Sequence, residues 1–104
     1  VVNEQRIVAV EANPNPFNDF LRFVFTISGK EAPSEAMIVI SDMTGRVVKS
    51  VTLLPRVGVN EWIWTNSAGL SAGTYLYRIN VKKNGQELTV EEGVKTMGKA
   101  VLVK

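Results

Sequence analysis

A chain of 104 residues has room for one domain, and its 12 basic and 10 acidic groups leave a net charge of +2, too small to mark a nucleic-acid or anionic-membrane partner. It has no cysteine and no histidine, which excludes a disulfide framework, thiolate chemistry, and the side chain most often used as general base and metal ligand. No apolar run approaches the roughly 20 residues of a membrane-spanning helix.

Area scaling gives about 65% of the unfolded surface buried at this size, enough for one core without covalent staples. Residues 1–81 carry 7 basic and 7 acidic groups, and residues 82–104 carry 5 lysines and 3 glutamates, so the whole excess charge lies in the last quarter. The sequence starts at Val1 with neither methionine nor signal peptide. It is read as a piece of a longer protein, a single C-terminal domain in which residues 1–6 are the end of a linker.

The first expected strand is Ile7 to Ala12, stopped by Asn13-Pro14-Asn15-Pro16, because proline donates no ladder hydrogen bond and forces its predecessor to extended geometry. Phe17 follows and is expected to plug one end of a core. Phe20 to Ser28 alternates, with Leu21, Phe23, Phe25 and Ile27 on an inward face, and reads as a long second strand. A polar loop from Gly29 to Glu35 leads to a β-branched run, Met37 to Ser41. A second such run, Val47 to Leu54, is joined to it by Asp42-Met43-Thr44-Gly45-Arg46. Aspartate suits the first position of a type I turn and glycine the left-handed residue that closes it, so a hairpin is expected.

Val59 to Thr65 is the fifth strand. Its Trp62 and Trp64 share a face, and one of them is expected to be the central aromatic of the core. Asn66 to Ala72 is turn chemistry. The clearest strand follows, with Tyr75, Tyr77, Ile79 and Val81 on one face and Leu76, Arg78 and Asn80 on the other. Leu70, Gly73 and Tyr75 have the spacing of a tyrosine corner, whose hydroxyl bonds to backbone a few residues upstream. Asn84-Gly85 predicts a two-residue hairpin into Gln86 to Val90. Glu91 to Met97 is weakly patterned, and Lys99 to Val103 closes the sequence as a last strand. About seven strands with turns every 8 to 12 residues and no helical periodicity predict an all-β, Ig-like, antiparallel Greek-key sandwich.

Chemistry finds little support. Without histidine or cysteine, nucleophilic catalysis is left with a Ser–Lys pair, but Ser28/Lys30 and Lys49/Ser50 are strand or loop neighbours that form no dyad. Glu91/Glu92 and Glu31/Glu35 are loop acids with no cleft to share. Asn13, Asn15, Asn18 and Asp19 are the densest oxygen cluster, lack the acid count of a calcium loop, and are accounted for by turns. Lys82, Lys83, Lys95 and Lys99 with Tyr75 and Tyr77 could form a stacking nucleic-acid surface, but the tyrosines suit the core and the lysines a solvated edge. Trp62 and Trp64 could form a carbohydrate platform, but on a sheet face they suit the core better. No catalytic residue, metal or cofactor is assigned.

Five anchors in order carry a resemblance: Asn13-Pro14-Asn15-Pro16-Phe17; Ile40 to Val48 with Asp42-Met43-Thr44-Gly45-Arg46; Gly58 ahead of Trp64; Leu70 with Gly73-Thr74-Tyr75-Leu76-Tyr77-Arg78; and Gly98 to Lys104. Together they cover roughly residues 7 to 104, and the chain resembles the type A C-terminal sorting domains of the type IX secretion system of Bacteroidota. The Ig-like domain of flagellar hook-cap proteins is related in fold. The resemblance implies a seven-stranded sandwich recognised by an outer-membrane translocon, trimmed by a sortase-like surface peptidase, and passing through the periplasm to the outer-membrane surface or the medium, where cargo is released or attached to an anionic lipopolysaccharide. It implies recognition through Gly73, Tyr75, Lys99, Val101, Leu102, Val103 and Lys104, with Pro14, Pro16, Phe17, Asp42 and Gly45 as a secondary motif. The last strand is expected to be exposed and addressable, and a dimer could form through edge strands. The competing reading is an uncleaved structural Ig-like spacer or docking module of a cell-surface protein.

Overall fold

A computed structural model describes residues 6–65 and 70–103. Nine strands occur among them: β1 (Arg6–Asn13), β2 (Phe20–Ser28), β3 (Glu35–Asp42), β4 (Val47–Leu53), β5 (Gly58–Thr65), β6 (Gly73–Lys83), β7 (Gln86–Glu87), β8 (Thr89–Val90) and β9 (Met97–Leu102). One sheet has the order β5-β2-β1-β8. The other has the order β4-β3-β6, and the far edge of β6 pairs with β9 over Gly73–Arg78 and with β7 over Lys82–Lys83. The all-β sandwich expected from the alternation is what forms.

The period-two pattern explains the core. Ile7, Leu21, Phe23, Phe25, Ile27 and Trp64 are buried from the first sheet, and Ala36, Ile38, Ile40, Tyr75, Ile79, Val81, Ala100 and Leu102 from the second. Each strand turns its alternate residues outward, so Arg22 on β2 meets Glu61 on β5 as a surface ion pair. Trp64 is the central tryptophan. Trp62 is half-buried and stacks on Phe23, with ring centroids 5.7 Å apart.

Local turn chemistry appears where it is expected. Asn84 (φ 52°) and Gly85 (φ 85°) both occupy the left-handed region, as a primed two-residue hairpin demands, and Lys83 faces Gln86 across it. The strand expected over Gln86 to Val90 is corrected. It breaks at Leu88, whose amide donates to the Val81 carbonyl oxygen at 2.9 Å. β7 stays with β6, while β8 crosses to the other sheet and runs parallel to β1, Arg6 opposite Thr89 and Ile7 opposite Val90. The sandwich is therefore not wholly antiparallel, and its seven long strands are joined by two short ones. β4 ends at Leu53, leaving Leu54 91% exposed, and β9 begins two residues earlier than expected, at Met97.

That earlier start places Gly98 opposite Tyr77. A Cβ on Gly98 would lie 2.5 Å from the Tyr77 hydroxyl oxygen and 2.6 Å from Cζ, inside van der Waals contact. The ring also meets Phe23 edge-on at 5.2 Å, so displacing it disturbs that contact. Gly98→Ala is therefore expected to cost about 1–3 kcal/mol through forced displacement of the ring. Chemical denaturation would show this as a lower midpoint with an unchanged slope.

Candidate functional site

The residues expected to act together converge on one end of the sandwich. β9 lies between two partners there. On one side it pairs antiparallel with β6, Leu102 opposite Gly73, Val101 opposite Thr74 and Ala100 opposite Tyr75. On the other side stands the Asn13–Phe17 segment, in which both Asn-Pro peptide bonds are cis. Asn15 Nδ2 donates to the Lys99 carbonyl oxygen and its Oδ1 accepts from the Val101 amide, both at 3.0 Å. The amide side chain thus stands in for one residue of a neighbouring strand. Phe17 continues the pairing through its backbone: its amide donates to the Val101 carbonyl oxygen and its carbonyl accepts from the Val103 amide, each at 2.8 Å.

The outward backbone groups from the Lys99 carbonyl to the Val103 amide are therefore used, so this strand is exposed through its side chains and not as an open edge. Proline explains the arrangement: Pro14 and Pro16 have no N–H to offer an edge, so the segment bonds through the Asn15 side chain and then through Phe17. The Phe17 ring is buried and packs on Trp64 at 5.6 Å; Trp64 meets Tyr75 edge-on at 6.0 Å. Three aromatic rings thus close the core beneath the buried Ala100 and Leu102, while Lys99, Val101 and Val103 project outward. Lys104, part of the expected motif, lies outside the described residues, as do Asn66 to Gly69 of the expected turn.

Gly73 and Tyr75 form the tyrosine corner. The Tyr75 hydroxyl donates to the Ser71 carbonyl oxygen at 2.6 Å, and half-buried Leu70 packs against the core. Gly73 has φ +150°, a conformation that a residue with a Cβ rarely adopts. Both residues have a folding role at this position.

Asp42 and Gly45 make the β3–β4 turn. Asp42 Oδ1 accepts from the Thr44 amide at 2.9 Å, the Arg46 amide at 3.1 Å and the Thr44 hydroxyl, and Gly45 closes the turn at φ +93°. The Thr44 hydroxyl, with smaller contributions from the Arg46 and Thr44 amides, holds the Asp42 carboxyl below its ordinary pKa. A depressed folded pKa stabilises the fold above the unfolded value of about 3.9, and this contribution is lost as pH falls through the folded value. Asp42→Ala is accordingly expected to lower the melting temperature at pH 7, by a margin that narrows below about pH 4. Melting curves of both proteins across pH 3–7 would check this.

Sequence reasoning missed Asn15 and Asn60. Asn60 is a buried polar residue; its Nδ2 donates to the carbonyl oxygens of Arg56 and Gly58 at 2.8 and 3.3 Å, and its Oδ1 accepts from the Arg56 amide at 2.9 Å, which folds the loop before β5 onto the strand. Pro55 and Gly58, residues that favour a loop, are its only trace in the sequence. Asn15 was visible as a member of a turn-forming cluster, but nothing local marks a side chain that bonds a strand 84 residues away.

The sequence profile of a family described as the secretion system C-terminal sorting domain matches residues 11–91. Among solved structures, dimeric latent PorU from Porphyromonas gingivalis is similar, with a TM-score of 0.73 and 23% identity over 98% of this chain and 10% of the PorU chain. The Reelin-N domain of F-spondin is similar with a TM-score of 0.53 and 14% identity, over 97% of this chain and 87% of that one. At these identities the likeness is one of fold, and the chain spans about a tenth of the length of PorU. No curated protein matches the chain by sequence.

Proposed function

We infer how this domain works from its kinship: the chain belongs to the family of secretion system C-terminal sorting domains. Its function is that of a C-terminal sorting signal for type IX secretion, which takes the protein that bears it to the cell surface or the extracellular space. Domains of this family are not catalytic, so the work of the chain is to be bound. Beyond that, the reading is ours. The translocon binds the end of the sandwich where Asn15, Phe17, Gly73, Tyr75 and β9 meet, after the folded domain has crossed the periplasm. A sortase-like surface peptidase then acts upstream of β1. Any dimer forms through β4 or β5, each a long edge strand at one end of its sheet among the described residues.

One observation carries this reading: the two motifs that are farthest apart in the sequence, Asn13–Phe17 and Lys99–Val103, form one hydrogen-bonded unit. A binding partner meets them as a single surface, with Pro14 and Pro16 shaping its rim. Folding alone accounts for the buried Phe17 and Leu102 but not for the outward Lys99, Val101 and Val103. The experiment is to fuse residues 1–104 to the C-terminus of a periplasmic fluorescent reporter, in a type IX-competent bacterium and in an isogenic strain without the translocon. Export in the first strain only is the expected result. Retention in both strains, with the domain folded, would return the chain to the role of a structural Ig-like module.

A further inference from the structure

The outer face of β3, β6 and β9 has a composition that folding does not ask for. Register places Val39, Arg78 and Met97 in one row across the three strands and Ser41, Leu76 and Lys99 in the next, with Val101 beyond Thr74. The six side chains of those two rows line a shallow groove of about 470 Å³, and Val101 extends the same face. Met97 in the groove is 60% exposed and Val101 on the same face 37%, while Val39 and Leu76 are half-buried. Its charged members, Arg78 and Lys99, are both cations and sit diagonally on adjacent strands, where like charges oppose the fold.

Two cations elsewhere on the surface are paired. Arg22 bonds Glu61 on the outer face of the other sheet, and Lys83 bonds Glu31 beside the β6–β7 turn. Among the described residues, Arg78 and Lys99 have no carboxylate within ion-pair distance, and no acid lines the groove. A surface tuned only for solubility intersperses both signs of charge.

We propose that this face docks an acidic protein surface of the secretion machinery, one that sets carboxylates against Arg78 and Lys99 and an apolar ridge over Leu76, Met97 and Val101. The inference rests on the sorting function and names the surface through which it is exercised. Lys99 belongs both to this face and to the strand held by Asn15, so docking reads whether β9 is in place.

The test uses the reporter fusion in the competent strain, in four forms: unaltered, R78E/K99E, R78K/K99R, and K30E/K49E, which reverses two exposed lysines away from the groove. The expectation is that R78E/K99E exports at least roughly tenfold less reporter, since like charges facing each other across an interface cost several-fold to many-fold in binding. The other two variants should export as the unaltered fusion does. Thermal melts of the exported or purified domains report folding. If R78E/K99E melts below the growth temperature, R78Q/K99Q replaces it, with the same direction of effect expected. Normal export of the charge-reversed or neutralised form, or failure of R78K/K99R, would overturn the proposal. Retention of the unaltered fusion would instead overturn the sorting function on which it rests. A photocrosslinking residue in place of Met97 identifies the occupant. An adduct to an acidic protein segment, lost in R78E/K99E, is expected. Charge-dependent export with no protein adduct would point to an anionic glycan or lipid and overturn an acidic protein as the occupant.

Discussion

Phe17→Ala is expected to unfold the domain most readily among single substitutions at the β9 end. The side chain is fully buried, and a phenylalanine truncated in such a place costs about 3–5 kcal/mol through lost transfer energy and the cavity left behind. A domain of this size has about 5–15 kcal/mol in all. At roughly 4 °C or more per kcal/mol, the melting temperature falls by about 12 °C or more. The loss extends beyond the ring: Trp64 loses the neighbour packed against it at 5.6 Å, and the backbone that pairs with Val101 and Val103 loses its anchor. Hydrogen exchange separates the two effects. The Val103 amide, bonded to the Phe17 carbonyl, is expected to exchange much faster in Phe17→Ala. Asn15→Ala, which removes no buried surface, should speed exchange at Val101 with a stability loss of only about 1 kcal/mol.

Tyr75 gives the second large effect and divides folding from recognition. Tyr75→Ala removes a buried ring that meets Trp64 edge-on, at a cost of about 3–5 kcal/mol. Tyr75→Phe keeps the ring and removes only the bond from its hydroxyl to Ser71, at about 0.5–1.5 kcal/mol. Gly73→Ala falls between, with about 1–3 kcal/mol of backbone strain from its positive φ. Where the corner acts through folding, export of a fused reporter follows this stability order, and Tyr75→Phe exports nearly as well as the unaltered domain. A folded Tyr75→Phe domain that is not exported would instead make the hydroxyl itself part of the address. Equilibrium denaturation and export of the same three variants are the measurements.

The parts of this fold legible in the sequence are those whose cause is local. The Asn84-Gly85 hairpin, the Asp42–Arg46 turn and the tyrosine corner each depend on a few adjacent residues with one steric or hydrogen-bonding requirement. Alternation placed the inward faces of β2, β5 and β6 correctly because period two is written along each strand. The crossing from β7 to β8 was hidden, since two-residue strands have no period to detect: β7 follows the local hairpin with Lys82–Lys83, but the sheet of β8 is chosen by the long-range partners Arg6–Ile7. The candidate site was legible as two separate motifs. Their union was not, because it depends on the Asn15 amide meeting Lys99 and Val101 across the whole length of the chain. The groove over Arg78 and Met97 was hidden for the same reason: neither residue is unusual on its own strand, and only the register between β6 and β9 sets them side by side.

The central claim is that β9, held between β6 and the Asn15–Phe17 segment, is part of the address that the secretion machinery reads. Its most direct test compares export of the reporter fused to residues 1–104 with export of the same fusion cut after Gly98, in the type IX-competent strain, with circular dichroism of each purified domain alongside. The account predicts the intact fusion outside the cell and the shortened one retained. A shortened domain that loses both Ala100 and Leu102 from its core melts lower, so the companion fusion carries Lys99→Glu and Val101→Glu, outward positions that leave the core whole. The account predicts that this folded variant is retained as well. Export of the folded Lys99→Glu/Val101→Glu fusion at the level of the intact one would contradict it.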